Sequence, residues 1–476
     1  MRFRCMLVAL AGWWMVTPIG AADAGARYDA IIAAKGTVPE SARAQELFKA
    51  AWEILLEENP EFATVVGRPA FDRVWRDLSP EAIARRRATP HHALRALRTF
   101  DPAQLGDVDR VSLELLRQQV QDVIAGERYP SELLALNQLE GVQQGPAQTM
   151  AFMRNGTVAE LENQVARLKA MPRFIDQTIA VLANGLARGV TPPKIALRDV
   201  PQQVLNQIVE DPLKAPLLRG LTNVPASVPE EERQRINQAA TQIYLTEIVP
   251  AWRRLHDFLA QRYLPGARET TAATALPDGE AWYAHRVRTQ TTTDLVPDKI
   301  HAIGLAEVAR IRGEMERVKA TTGFKGTLPE FFQYLRTDPK FFFTDKDDLL
   351  RAYRDIAKRV DPELVKVFRT LPRMPYGVIP VPGYAEKSQT TAYYWPGSHE
   401  AGRPGFFFAN TYALHTRPKW EMEALTLHEA VPGHHLQLSL AQEIEGLPEF
   451  RREAWGYTGF VEGWGLYAES LGEDMG

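Results

Sequence analysis

The chain has 476 residues, 45% of them hydrophobic and 24% charged, with 56 basic against 59 acidic side chains for a net charge of −3. These are the proportions of a globular protein with a sizeable core, which excludes a disordered chain, a collagen-like fibre and a disulfide-stapled miniature. With no basic excess to neutralise phosphates, a nucleic-acid partner is not expected.

The first 22 residues read as a signal peptide. Arg2 and Arg4 give a positive start, Met6 to Met15 form an apolar stretch, and Gly20, Ala21 and Ala22 supply the small residues a signal peptidase requires. The apolar run is too short to span a bilayer. Cleavage after Ala22 is expected, with Ala24 the second choice, followed by periplasmic or secreted localisation and no stable membrane insertion. Cys5, the only cysteine, leaves with the leader, so any metal must be held by His, Asp or Glu.

From Pro39 to Leu264 the pattern is helical, rich in Ala, Leu, Glu, Gln and Arg with apolar spacings of three and four. In ARAQELFKAAWEILLEENP the expected inner face is Leu47, Ala50, Ala51, Ile54 and Leu55. Residues 23–265 are expected to form an N-terminal helical lobe, in which the basic run Arg85 to Arg87 reads as a solvated helix face. The small, polar, proline-bounded stretch from Pro265 to Pro277 marks the lobe boundary, and residues 266–476 form the second lobe. Helices resume at Asp298, where His301 on an apolar face reads as a hydrogen-bonded core histidine. Between Pro375 and Tyr412 the chain turns to Gly, Pro, Thr and aromatic residues, the pattern of short strands. GFFFANT is the clearest of these. It is expected to offer an open edge to an extended peptide, with Arg403 just before it able to pair with a substrate carboxylate. The fold class is therefore mainly α, with a small β-sheet.

Five of the ten histidines fall between His399 and His435, most densely in Leu427-His428-Glu429-Ala430-Val431-Pro432-Gly433-His434-His435. Zinc hydrolases place two histidines at i and i+4 of one helix, with an intervening Glu that takes a proton from metal-activated water. Here position i+4 is Pro432, and the next histidines stand at i+6 and i+7. On a straight helix i+6 is turned about 240° away, and i+7 sits roughly 10 Å further along the axis, so neither could share an ion with His428. Pro432 lacks an N–H and its ring collides with the His428 carbonyl, while Gly433 adopts conformations closed to other residues. A bulge or widened turn is therefore predicted between His428 and the second histidine. Downstream, Glu462 in FVEGWGLYAE has apolar neighbours that suggest burial, which metal coordination would satisfy. Glu469, two turns on along the same face, is placed to brace a ligating histidine.

HEAVPGHHLQ followed by FVEGWGLYAE, together with LPDGEAWYAHRVRTQTTT, IHAIGLAEVARI and RPGFFFANT, resembles the bacterial family known as domain of unknown function 885, over roughly residues 43–476. That family is in turn similar to helical zinc metallopeptidases of the oligopeptidase and carboxypeptidase type. The resemblance implies a two-lobed, largely helical fold with a small sheet beside the metal. It also implies one Zn2+ held by His428, His434 and Glu462, with Glu429 as general base and His435 free to meet substrate or brace the site. Family members continue into further helices, where the peptidase relatives carry a tyrosine that steadies the oxyanion, so the chain reads as truncated at Gly476. Tyr393, Tyr394 and Tyr412 are candidate substitutes. The expected function is a zinc-dependent hydrolase of peptide-like amide bonds. The alternatives are a metal-dependent amidase or transferase on another substrate, or a non-catalytic exported helical binding protein.

Overall fold

The computed structural model describes residues 24–476 apart from Trp455; the expected leader, with Cys5, lies outside the described residues. Among the described residues, fifteen helices of eight residues or more carry the fold. The first six are α1 (Ala24–Ala33), α2 (Glu40–Glu58), α3 (Pro80–Leu97), α4 (Asp107–Gly126), α5 (Gly145–Phe152) and α6 (Val158–Ala187). They are followed by α7 (Glu230–Ile243), α8 (Val249–Phe258), α9 (Gly279–Thr291), α10 (Pro297–Thr321), α11 (Leu328–Thr337) and α12 (Lys346–Val360). Three strands come next, β1 (Tyr376–Pro380), β2 (Ala392–Trp395) and β3 (Gly405–Ala409), and the described chain closes with α13 (Met422–Glu429), α14 (His434–Glu443) and α15 (Thr458–Met475). No helix among the described residues is long and apolar enough to cross a membrane.

Each helix is set by its caps and its inward stripe. In α2 that stripe is Ala44, Leu47, Phe48, Trp52 and Leu56; the expected Leu55 is 37% exposed, because the face follows a spacing of four and leaves it on the shoulder. α6 starts with a capping box in which Thr157 and Glu160 satisfy each other's backbone N–H. It buries Leu161, Leu168, Met171, Ile175 and Leu182 along its length, each contributing about 1.5–3 kcal/mol relative to exposure. The same helix buries Arg167, whose guanidinium is satisfied by the carbonyls of Pro60, Phe71 and Val74 and by the Thr64 hydroxyl. This pins the 60–75 segment onto α6.

Two cores build the N-terminal part, one from α1 to α4 and a larger one from α5 to α8. The packing crosses the expected boundary near residue 265: Trp282 of α9 stacks on Tyr129 at 5.6 Å, in a cluster that includes Leu133, Val181 and Val190. α10 differs from its neighbours. It buries no residue, so His301 is exposed rather than a core histidine, and Leu305, Val308 and Val318 face outward with it. Its amphipathic pattern is real, but its main packing among the described elements is on α11.

In the sheet, β3 is central, parallel to β1 and antiparallel to β2. GFFFANT is thus paired on both sides and offers no open edge; β2 is an edge strand instead. α12 and α13 cover the sheet through Tyr353, which meets Phe407 edge-on at 5.1 Å, and through Met422 and Ala430. α15 packs back on α13 through Leu427, Leu471 and Met475.

Candidate metal centre

The candidate metal centre begins where a helix fails. α13 ends at Glu429; Ala430 leaves the helical region (φ −101°, ψ −108°), the Val431–Pro432 bond is cis, and α14 restarts at His434. The predicted defect is therefore larger than a bulge: two separate helices meet across a four-residue break. A Cβ at Gly433 would stand 1.9 Å from the His428 carbonyl oxygen, so only glycine permits this approach. The break is tied down by the His435 N–H, which donates to the Ala430 carbonyl, and by the Trp464 indole, which donates to the Pro432 carbonyl at 2.9 Å.

The restart brings His434 beside His428, the rings perpendicular with centroids 4.7 Å apart. Nε2 of His428 lies 3.4 Å and Nε2 of His434 3.7 Å from Oε2 of Glu462 on α15. One ligand atom from each of the three residues falls within 4.8 Å of the others. The 3.4 and 3.7 Å separations are close to the ~3.3 Å edge of a tetrahedron around an ion bonded at about 2.0–2.1 Å, and two imidazoles with a carboxylate are a zinc donor set. Burial, together with the nearby His428, lowers the His434 pKa against the pull of Glu462, favouring the neutral form that a metal needs. Behind His428, Oε1 of Glu469 sits 2.9 Å from Nδ1, so that Nδ1 carries the proton and Nε2 is left to the ion. A Cβ at Gly465 would come within 2.6 Å of Cε1 of His428. This explains the second glycine of EGWG, to which sequence reasoning assigned no role.

Glu429 is 7% exposed beside the three ligands. Burial raises its carboxyl to about 7, opposed by His428 and by the backbone N–H of Tyr394, and aided by Glu462. That is the range a general base requires near neutrality. The hydrogen bond also places the edge strand β2 directly against the site.

His435 takes no part in the ligand cluster. It points into the core, where its Nδ1 meets the Tyr394 hydroxyl at 2.8 Å and Ser439 Oγ at 3.2 Å, and Tyr376 packs on its ring at 4.5 Å. Burial holds its pKa down to about 4. It is a brace between α14 and the sheet; Ser439, four residues on, was the legible partner. The tyrosine candidates separate. Tyr394 contributes its backbone N–H, its hydroxyl being engaged with His435. Tyr393 lies on the opposite sheet face, stacked on Phe408 at 4.8 Å, and Tyr412 is exposed near Lys387; neither joins the metal centre. Nor does Arg403, whose Nη2 donates to the carbonyls of Val65 and Pro396 and whose guanidinium lies over Phe152 at 4.4 Å. These contacts hold one end of the guanidinium, while Nε and Nη1 are buried without a hydrogen-bond partner.

A family model described as "Bacterial protein of unknown function (DUF885)" matches residues 60–476, and the chain belongs to this family. Among solved structures it is similar to one described as the putative lipoprotein from Colwellia psychrerythraea: TM-score 0.82, 23% identity, 92% of this chain and 79% of that chain covered. A second, described as a putative lipoprotein of unknown function from Shewanella oneidensis, aligns with TM-score 0.58 and 16% identity over 91% of this chain and 78% of that one. At these identities the likeness is one of fold. No curated protein matches the chain.

Proposed function

We propose that this member of the DUF885 family is an exported zinc-dependent hydrolase of peptide-like amide bonds. The observation that carries the reading is the convergence of His428, His434 and Glu462 with the buried Glu429 beside them. His428, His434 and Glu462 would hold the ion, which when bound supplies Lewis acidity toward a carbonyl and lowers the pKa of a water. Glu429 accepts a proton from water as the water oxygen adds to the amide carbon. It then delivers that proton to the nitrogen as the C–N bond breaks, leaving a carboxylic acid and an amine. Glu469 fixes the ring of His428 throughout.

The placement of β2 supports an extended substrate. It is an edge strand whose Tyr394 N–H reaches Glu429, so a chain paired along it runs past the general base, with main-chain hydrogen bonds giving affinity. Export is supported by the leader-like N-terminus and by the lipoprotein description of the structural neighbours.

Glu429→Gln tests the reading. The variant is expected to bind zinc like the parent and to lose at least about a thousandfold in cleavage of a peptide library, the combined scale of general-base catalysis. Cleavage at the parental rate would contradict the assignment.

A further inference from the structure

Helices α3 to α6 and α9 enclose a cavity of about 950 Å³, separate from the metal ligands. One wall is α9, which holds most of the LPDGEAWYAHRVRTQTTT run that the reaction above leaves without a role: Trp282, His285, Arg286, Thr289 and Gln290 line the cavity. Two walls lead to the metal centre. At the end of α9, the Gln290 carbonyl oxygen lies 3.4 Å from where a Cβ on Gly459 would stand, three residues before Glu462 in α15. α5 borders the cavity with Gly145 and Thr149 and then packs Phe152 against Trp395 at 5.2 Å, next to Tyr394 on β2.

The charges of the lining are unevenly matched. Most of its carboxylate oxygens are engaged: Glu132 meets Arg87 at 2.6 Å and Asp122 meets Arg288 at 3.3 Å, Glu61 accepts the Arg76 backbone N–H, and Glu127 meets His91 at 2.9 Å through Oε2 while its Oε1 is buried without a partner. Arg76 and Arg86 are not so matched. Nε of Arg76 is buried without a hydrogen-bond partner. Arg86 donates from Nη1 to the Asp77 carbonyl, and neither guanidinium pairs with a carboxylate among the described residues. Glu58 is near enough to feel both, but it accepts from Thr89 and makes no ion pair with either, and burial raises its carboxyl against the pull of the two arginines. Half-buried guanidiniums with no carboxylate hydrogen-bonded to them, Glu58 and Asp77 acting only through space, favour an anionic ligand.

We propose that this cavity receives the carboxylate-bearing end of the substrate, with Arg76 and Arg86 binding the carboxylate while the chain extends toward the metal centre. The substrate class is then short acylated peptides ending in, or carrying near that end, a free carboxylate. The orientation rests on the hydrolase reading; the binding does not.

The test is calorimetric titration of zinc-supplied Glu429→Gln protein with acetyl-alanyl-phenylalanyl-alanyl-alanine, with its C-terminal amide, and with an amide whose last residue is glutamate. The free acid is expected to bind about ten- to a hundredfold more tightly than the plain amide, the worth of a charge-assisted contact. That preference is expected to vanish in Arg76→Gln/Arg86→Gln, with affinity for the plain amide retained. Tight, arginine-dependent binding of the glutamate amide assigns the site to an acidic side chain instead of a terminus, still a substrate carboxylate. Equal affinity for acid and plain amide, or no binding of the acid, overturns the proposal. Arginine-dependent binding without cleavage by the unmutated protein sinks the hydrolase reading and leaves the carboxylate site standing.

Discussion

At residue 465 a single methyl group decides whether His428 can face Glu462. A Cβ there would stand 2.6 Å from Cε1 of His428, against the ring of the ligand itself. Gly465→Ala is therefore expected to rotate the imidazole away from the cluster and weaken zinc binding about 10- to 100-fold, the scale on which contacts behind a ligand act. Competition against a chelator measures this, and parental affinity in a folded variant would contradict it. Gly433 is as tightly constrained, but a substitution there collides with backbone and disturbs the break itself, making it the less informative probe.

At the scale of elements, the connection between α14 and α15 is held to the N-terminal part by Arg68, which pairs with Glu400 at 3.3 Å and with Glu449. Glu453 lies half-buried beside this group, and loss of hydration, opposed by Arg452 and Arg68 and reinforced by Glu449 and Glu400, raises its carboxyl to about 7. Between the unfolded value near 4.5 and about 7, the folded state keeps a proton that the unfolded state releases. Stability therefore falls as pH rises through that window and stays lower above it, by about 3 kcal/mol for a shift of this size. Glu453→Gln is expected to be more stable than the parent at pH 8 and close to it at pH 4.5, as urea midpoints would show; a pH-independent difference would contradict the assignment. What sequence reveals at this scale follows from how local each signal is. That the His-Glu and Glu-Gly-Trp segments meet was legible because a candidate metal site needs few residue types, and Pro432-Gly433 announced a defect, though not that the helix would end outright. The strand at 405–409 was legible too, but its central place depends on two partners distant in sequence. Likewise, nothing near Arg403 shows that its hydrogen bond goes to Val65, 338 residues away. His301 failed for a related reason: periodicity marks an apolar face without showing whether anything packs on it.

Across the whole molecule, order is unevenly supported. α6 buries ten residues and α10 none, so backbone amides of α10 are expected to exchange through local opening well before those of α6. Hydrogen exchange followed by mass spectrometry would show this, and equal protection would contradict it. The proposed metal centre, by contrast, would join α13, α14 and α15, and an ion bound only by the folded state would stabilise it by RT ln(1 + [L]/Kd), about 2.7 kcal/mol at a hundredfold excess over Kd. The most direct test of the central claim is elemental analysis of the purified protein with zinc supplied, beside His428→Ala/His434→Ala. Close to one zinc per chain in the parent, with none in the double variant and a thermal midpoint that rises on zinc addition only in the parent, is the predicted result. A parent without zinc, or a double variant that retains it, would contradict the account.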